Sequence, residues 1–78
     1  MATDVFRFQF AAETLVEEAE LTLQLAIFAA EGLFGAARVR LEFGYHVDTS
    51  RHAILTDGTT EVGAAVVRVF TEIGRAHV

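Results

Sequence analysis

Between Val5 and Phe10 the chain alternates, with Phe6, Phe8 and Phe10 on one side and Arg7 and Gln9 on the other. A period of two predicts a strand buried on one face. From Glu13 to Phe34 the period lengthens. At about 100° per residue Glu13, Glu17, Glu20, Gln24 and Glu31 fall in one narrow stripe, which predicts a long helix beginning near Ala11 or Ala12. A strand reading of Leu21 to Phe28 also exists, because Leu21, Leu23, Leu25 and Ile27 alternate with their neighbours, but only a helix aligns the glutamates. Glutamates in the first turns suit the positive end of the helix dipole, and Gly32 or Gly35 is placed to end it.

The alternation then returns. Val39, Leu41, Phe43, Tyr45 and Val47 interleave with Arg38, Arg40, Glu42, Gly44, His46 and Asp48, which predicts one extended strand with a core face and a wet face. Asp48 to Arg51 reads as a turn and His52 to Thr56 as the returning strand of a hairpin. Pairing Val47 with His52 sets Tyr45 opposite Ile54 and Asp48 opposite Arg51. Asp57 and Gly58 break the strand, and Thr59 or Thr60 caps a helix from Glu61 to Gly74. Val62, Ala65, Val66, Val69, Phe70 and Ile73 share its apolar face, opposite Arg68, Thr71, Glu72 and Arg75; the β-branched run leaves a strand as the minority reading of Val62 to Ile73. The expected fold is therefore α+β: a two-layer sandwich in the order strand, helix, hairpin, helix (βαββα), with the helices on one face of a mostly antiparallel three-stranded sheet. A right-handed crossover is expected if the first strand runs parallel to a hairpin strand. Residues 1–78 form a single domain without repeat or linker.

The first helix is more apolar than a core requires. Leu15, Val16, Ala19, Leu23, Ala26, Ile27, Ala30, Leu33 and Phe34 make one side, while Leu21, Leu25 and Phe28 lie across the glutamate stripe. The apolar arc spans roughly 260°, where about 100° covers a core. Two surfaces must cover such a helix. Either the second helix shields Leu21, Leu25 and Phe28 within one protomer, or they form an oligomer interface, most simply that of a C2 homodimer, with copies of themselves or with another subunit's sheet.

Composition sharpens this expectation. A 78-residue chain buries only about 60% of its unfolded surface, and with no cysteine it has no disulfide to help, so oligomerisation is the remaining support. Hydrophobic residues make up 53% of the chain and the mean hydropathy is +0.39, which excludes disorder. The lack of cysteine also excludes thiolate metal sites and cysteine nucleophiles, and it fits a reducing cytoplasm. Met1 to Asp4 lacks the basic and apolar regions of a signal peptide, and Gln24 and Glu31 interrupt the longest apolar run, so neither export nor membrane crossing is expected.

The net charge of −5 argues against general polyanion binding. The charge is uneven, since no basic residue lies between Arg7 and Arg38 and every cation is an arginine. Arg7, Arg38, Arg40 and His46 are candidates for a shared wet sheet face that binds nucleic acid or an anionic partner, against the plainer reading of a solvated face with cross-strand ion pairs.

Catalytic and ligand chemistry is thin. His46 and His52 with Asp48 and Asp57 have the composition of a divalent-metal site, yet the expected register sends the two imidazoles to opposite faces, and His77 lies apart in the tail. Ser50 beside Asp48 and His52 names the members of a triad without its geometry, and a hydrogen-bonded turn explains it. Gly58 to Gly63 has phosphate-loop glycine spacing but no lysine, and Glu61 would repel an anion there. The three phenylalanines of the first strand suit a core face better than a base-stacking platform. No catalytic residue, metal or cofactor is expected. The sequence reads as a non-enzymatic, self-associating interaction module, with anionic-partner binding, or apolar-ligand binding between helix and sheet, as alternatives.

Overall fold

A computed structural model gives the architecture, describing residues 5–11 and 14–76, with side chains as far as Gly74. Ala12 and Glu13, the Arg75 side chain and His77 lie outside these residues. The element order is β1 (Val5–Gln9), α1 (Val16–Phe34), α2 (Ala36–Glu42), β2 (Tyr45–Asp48), a 3₁₀ turn (Thr49–Arg51), β3 (Ala53–Asp57) and α3 (Glu61–Ala76). The protein is thus an α+β fold with its helices against one face of an antiparallel sheet, as the periodicities predicted.

The sheet order is β1-β3-β2, with β3 antiparallel to both neighbours. β1 and β2 therefore run parallel with β3 between them, and the chain from β1 through α1 and α2 crosses over β3. The hairpin register differs from expectation by two residues. Val47 faces Ile54, Tyr45 faces Thr56 and Asp48 faces Ala53. The cause is the turn, which keeps residues 49–52 out of the ladder. Asp48 accepts a hydrogen bond from the Arg51 N–H (3.2 Å), and His52 takes a left-handed conformation (φ 52°) to bring the chain back. Slipping by two preserves parity, so Tyr45, Val47, Ile54 and Thr56 keep the expected core face.

The long strand expected from Arg38 to Asp48 is a correction, because its first half is the helix α2. Gly35 adopts φ 88° and ψ 144°, closing α1 with a bond from its N–H to the Glu31 carbonyl (2.9 Å) and opening α2. Only glycine reaches that backbone region without strain. Beyond it, the alternating residues are good helix formers and satisfy a second pattern. Val39 turns inward, Arg38 pairs with Glu42 at 2.7 Å one turn on, and the Arg38 guanidinium lies 5.0 Å from the centre of the Phe34 ring. Leu41, expected in the core, is left in solvent.

α1 also starts later than expected. The Thr14 N–H turns back to the Ala11 carbonyl and Leu15 is extended, so Val16 is the first helical residue. On its inner side Val16, Leu23, Ala26 and Ala30 are buried. They meet Val62, Val66 and Phe70 of α3, with Val39 and Ile54 completing the core. Phe8 packs edge-on against Phe70 with ring centres 4.8 Å apart, whereas Phe6, further along the same face, is exposed. The start of α3 is held by Thr60, whose hydroxyl accepts from the Gly63 N–H (2.9 Å) and donates to the Glu42 carbonyl (2.8 Å). One side chain thereby satisfies an open end of both α2 and α3.

Candidate interaction surface on the first helix

The inner and outer sides of α1 are set by side-chain size. Ala26 and Ala30, with Leu23, are fully covered by α3 and the sheet, and the alanines let α3 approach closely. Leu21, Leu25 and Phe28 lie roughly opposite on the helix. They are 61%, 61% and 73% exposed, so α3 does not shield them within the protomer. With Gln24, Ile27 and Glu31 they line an open groove along the helix.

Carboxylates border this stripe. Glu17 and Glu31, with the uncharged Gln24 between them, follow one flank and Glu18 stands on the other; the sequence from Arg7 to Arg38 holds no cation between its ends, and α2 brings Arg40 beside Glu31. Glu20 is engaged instead with the hairpin, accepting a hydrogen bond from the Tyr45 hydroxyl at 2.8 Å. Burial, together with that neighbouring carboxylate, holds the Tyr45 phenol above its ordinary pKa, so the link persists at neutral pH. The bond fixes the hairpin to α1 on the side away from α3. Its partners are 25 residues apart, and no local pattern in the sequence announces it. Leu15, Leu33 and Leu41 are also exposed large apolar residues.

The four proposed anion-binding residues do not form a common face. Arg7 and His46 do project from the outer side of the sheet, flanking Leu55 on the central strand. Arg38 and Arg40 stand on α2 instead, which corrects the expectation of an arginine-bearing sheet. Arg38 is engaged by Glu42 and, at 3.7 Å, by Glu61, while the Arg7 guanidinium donates to Gln9 at 3.0 Å. An alternation that belongs to a helix produced the apparent patch.

The remaining chemical candidates resolve into turn and cap structure. Ser50 donates to Asp48 at 2.8 Å, which with the Arg51 N–H draws the Asp48 carboxyl below its ordinary pKa. Asp57 accepts from the Thr59 N–H at 2.9 Å and is lowered in the same way. In Gly58 to Gly63 the Gly63 amide is taken by Thr60, and a Cβ at Gly63 would overlap the Asp57 carbonyl oxygen. That glycine admits a backbone rather than a phosphate. Among the described residues no three His, Asp or Glu side chains converge as metal ligands. A cleft between α1 and α3, lined by Phe10, Ala19, Thr22 and Phe70, is open to solvent. Among the described residues no helix is long and apolar enough to cross a membrane.

Fold and surface together define a small two-layer α+β protein with an apolar helix face that the described residues leave exposed. No family model matches the chain, and neither a curated protein nor a solved structure does.

Proposed function

We propose that this protein is a non-enzymatic, self-associating module that forms a C2 homodimer through the outer face of α1. The observation that carries the reading is the exposure of Leu21, Leu25 and Phe28 on a helix whose opposite side already fills the core. Their spacing of four and three residues is the ridge with which one helix packs on another. The stripe is about 10 Å long, so two copies crossing there bury an interface at the low end of the specific range, below about 1,200 Å² in total. A reversible dimer is the corresponding state. The cysteine-free composition fits a reducing compartment, and the proposed location is the cytoplasm.

Leu25→Glu is the test. Residue 25 is a surface position in the protomer, so the change leaves protomer stability within about 0.5 kcal/mol. Light scattering after size exclusion is expected to show the native chain as a dimer at high concentration and the variant as a folded monomer. A native chain that remains monomeric up to millimolar concentration overturns the proposal.

A further inference from the structure

Where α1, α2 and β2 meet, an apolar cavity carries one acidic and one basic side chain, and we infer that it binds a small zwitterion, a free α-amino acid with an apolar side chain. This goes beyond the self-association proposed above and does not depend on it, because every wall comes from one chain. The cavity measures about 290 Å³ and is lined by Ile27, Val39, Phe43 and Tyr45 with Glu31 and Arg40. Ligand pockets range upward from about 300 Å³, so this one suits a molecule the size of an amino acid rather than a nucleotide. Gly35 sets the charged pair in place. Glu31 stands one turn before the end of α1, and the chain turns at Gly35 (φ 88°) into α2, which brings Arg40 to the same cavity. Phe43 and Tyr45 form the aromatic wall, with ring centres 6.3 Å apart, and the bond from the Tyr45 hydroxyl to Glu20 holds that wall in advance of any ligand.

The two arginines of α2 are used differently. Arg38 is engaged by Glu42 and Glu61, whereas among the described residues the Arg40 guanidinium and the Glu31 carboxylate have neither an ion pair nor a hydrogen bond. Opposite charges that line one cavity without bridging it select a ligand carrying both. A lone anion on Arg40 is repelled by Glu31, and a lone cation on Glu31 is repelled by Arg40. A zwitterion answers both: its ammonium donates to the Glu31 carboxylate, its carboxylate accepts a paired set of bonds from the Arg40 guanidinium, and its side chain covers Ile27 and Phe43. The competing state is a direct pairing of Arg40 with Glu31. In this solvent-facing setting such a pair is weak, since water screens it and two long side chains lose freedom. The amino acid displaces it by adding buried apolar surface.

L-Phenylalanine is the probe. In a heteronuclear NMR titration of the native chain at neutral pH, the amide signals of Ile27, Glu31, Arg40, Phe43 and Tyr45 are expected to shift and saturate with a dissociation constant on the order of 1 mM, as for a small ligand in an open site. N-acetyl-L-phenylalanine lacks the ammonium and L-phenylalanine amide lacks the carboxylate, and each is expected to bind about tenfold more weakly. Glu31→Gln is expected to weaken L-phenylalanine about tenfold and leave the acetyl derivative unchanged; Arg40→Gln is expected to do the same for L-phenylalanine and the amide. Neither side chain is part of the core, so both variants fold, and their spectra report it. Shifts that are absent up to about 20 mM or that cluster elsewhere, or capped derivatives that bind as well as the parent, overturn the inference, since a merely apolar hollow treats all three alike. Each of those results leaves self-association standing, and a chain that stays monomeric yet binds the amino acid keeps the site and loses the dimer.

Discussion

Glycine at two positions of this chain answers to different physics. Gly63, in the first turn of α3, lies so close to the Asp57 carbonyl that a Cβ would overlap it, whereas Gly32 of α1 faces open space. Gly63→Ala must push α3 away from the end of β3 and is expected to destabilise by about 2–3 kcal/mol. Gly32→Ala removes only backbone freedom and is expected to stabilise by about 0.5–1 kcal/mol. Urea unfolding of both variants in the monomeric Leu25→Glu background checks the pair of signs. Thr56 gives a third expectation. Its hydroxyl is buried in the central strand with no hydrogen-bond partner among the described residues. Thr56→Val keeps the shape and β-branching while removing an unsatisfied group, so the urea midpoint is expected to rise by the equivalent of about 1 kcal/mol with an unchanged slope.

At the scale of elements, turns and caps decide what the periodicities leave open. The strand after Gly35 was legible as an alternation, yet five of its residues, Arg38 to Glu42, are as comfortable in a helix, and the left-handed Gly35 starts them in one. Alternation over a few residues cannot separate the two when the polar positions are long arginines and a glutamate. The hairpin register likewise depended on the turn, and parity alone was readable. That turn makes a pH prediction. Asp48 and Asp57 both have folded pKa values below the ordinary carboxylate value, the first chiefly through Ser50 and the second through the Thr59 N–H. A lowered folded value contributes stability that is present above the unfolded pKa of about 3.9 and is lost as pH falls through the folded one. Unfolding midpoints are therefore expected to drop on acidification below about pH 4. The drop should be shallower in Asp48→Asn, as an acid titration followed by circular dichroism will show.

For the whole molecule the controlling fact is that a 78-residue chain folds its core around the small side of its longest helix. Ala26 and Ala30 bring α3 close, and the larger Leu21, Leu25 and Phe28 are left on the far side. Hydrophobic free energy amounts to about 25 cal/mol per Å² of apolar surface covered, so three such exposed side chains leave stabilising area unused among the described residues. The proposed dimer would couple that surface to stability. The melting temperature of the native chain is expected to rise with protein concentration, and that of the Leu25→Glu variant is expected to stay constant, which calorimetry at two concentrations checks.

The strand β1, the helices α1 and α3, the hairpin and the two-layer α+β arrangement were legible in the residues, because each buries one face and the period of that face is local information. The excess of apolar surface on α1 was legible for the same reason. The sequence also singled out Leu21, Leu25 and Phe28 as the flank away from the core side, but whether α3 would shield them depended on packing that brings α3 against Ala26 and Ala30 instead. The arginines illustrate the same division. Their presence is sequence, but whether Arg7, Arg38, Arg40 and His46 share a surface was decided by Gly35, whose backbone turned half of an apparent strand into a helix and carried two of the four away from the sheet. Local pattern determines which residues seek burial, and only the packed chain determines which of them find it.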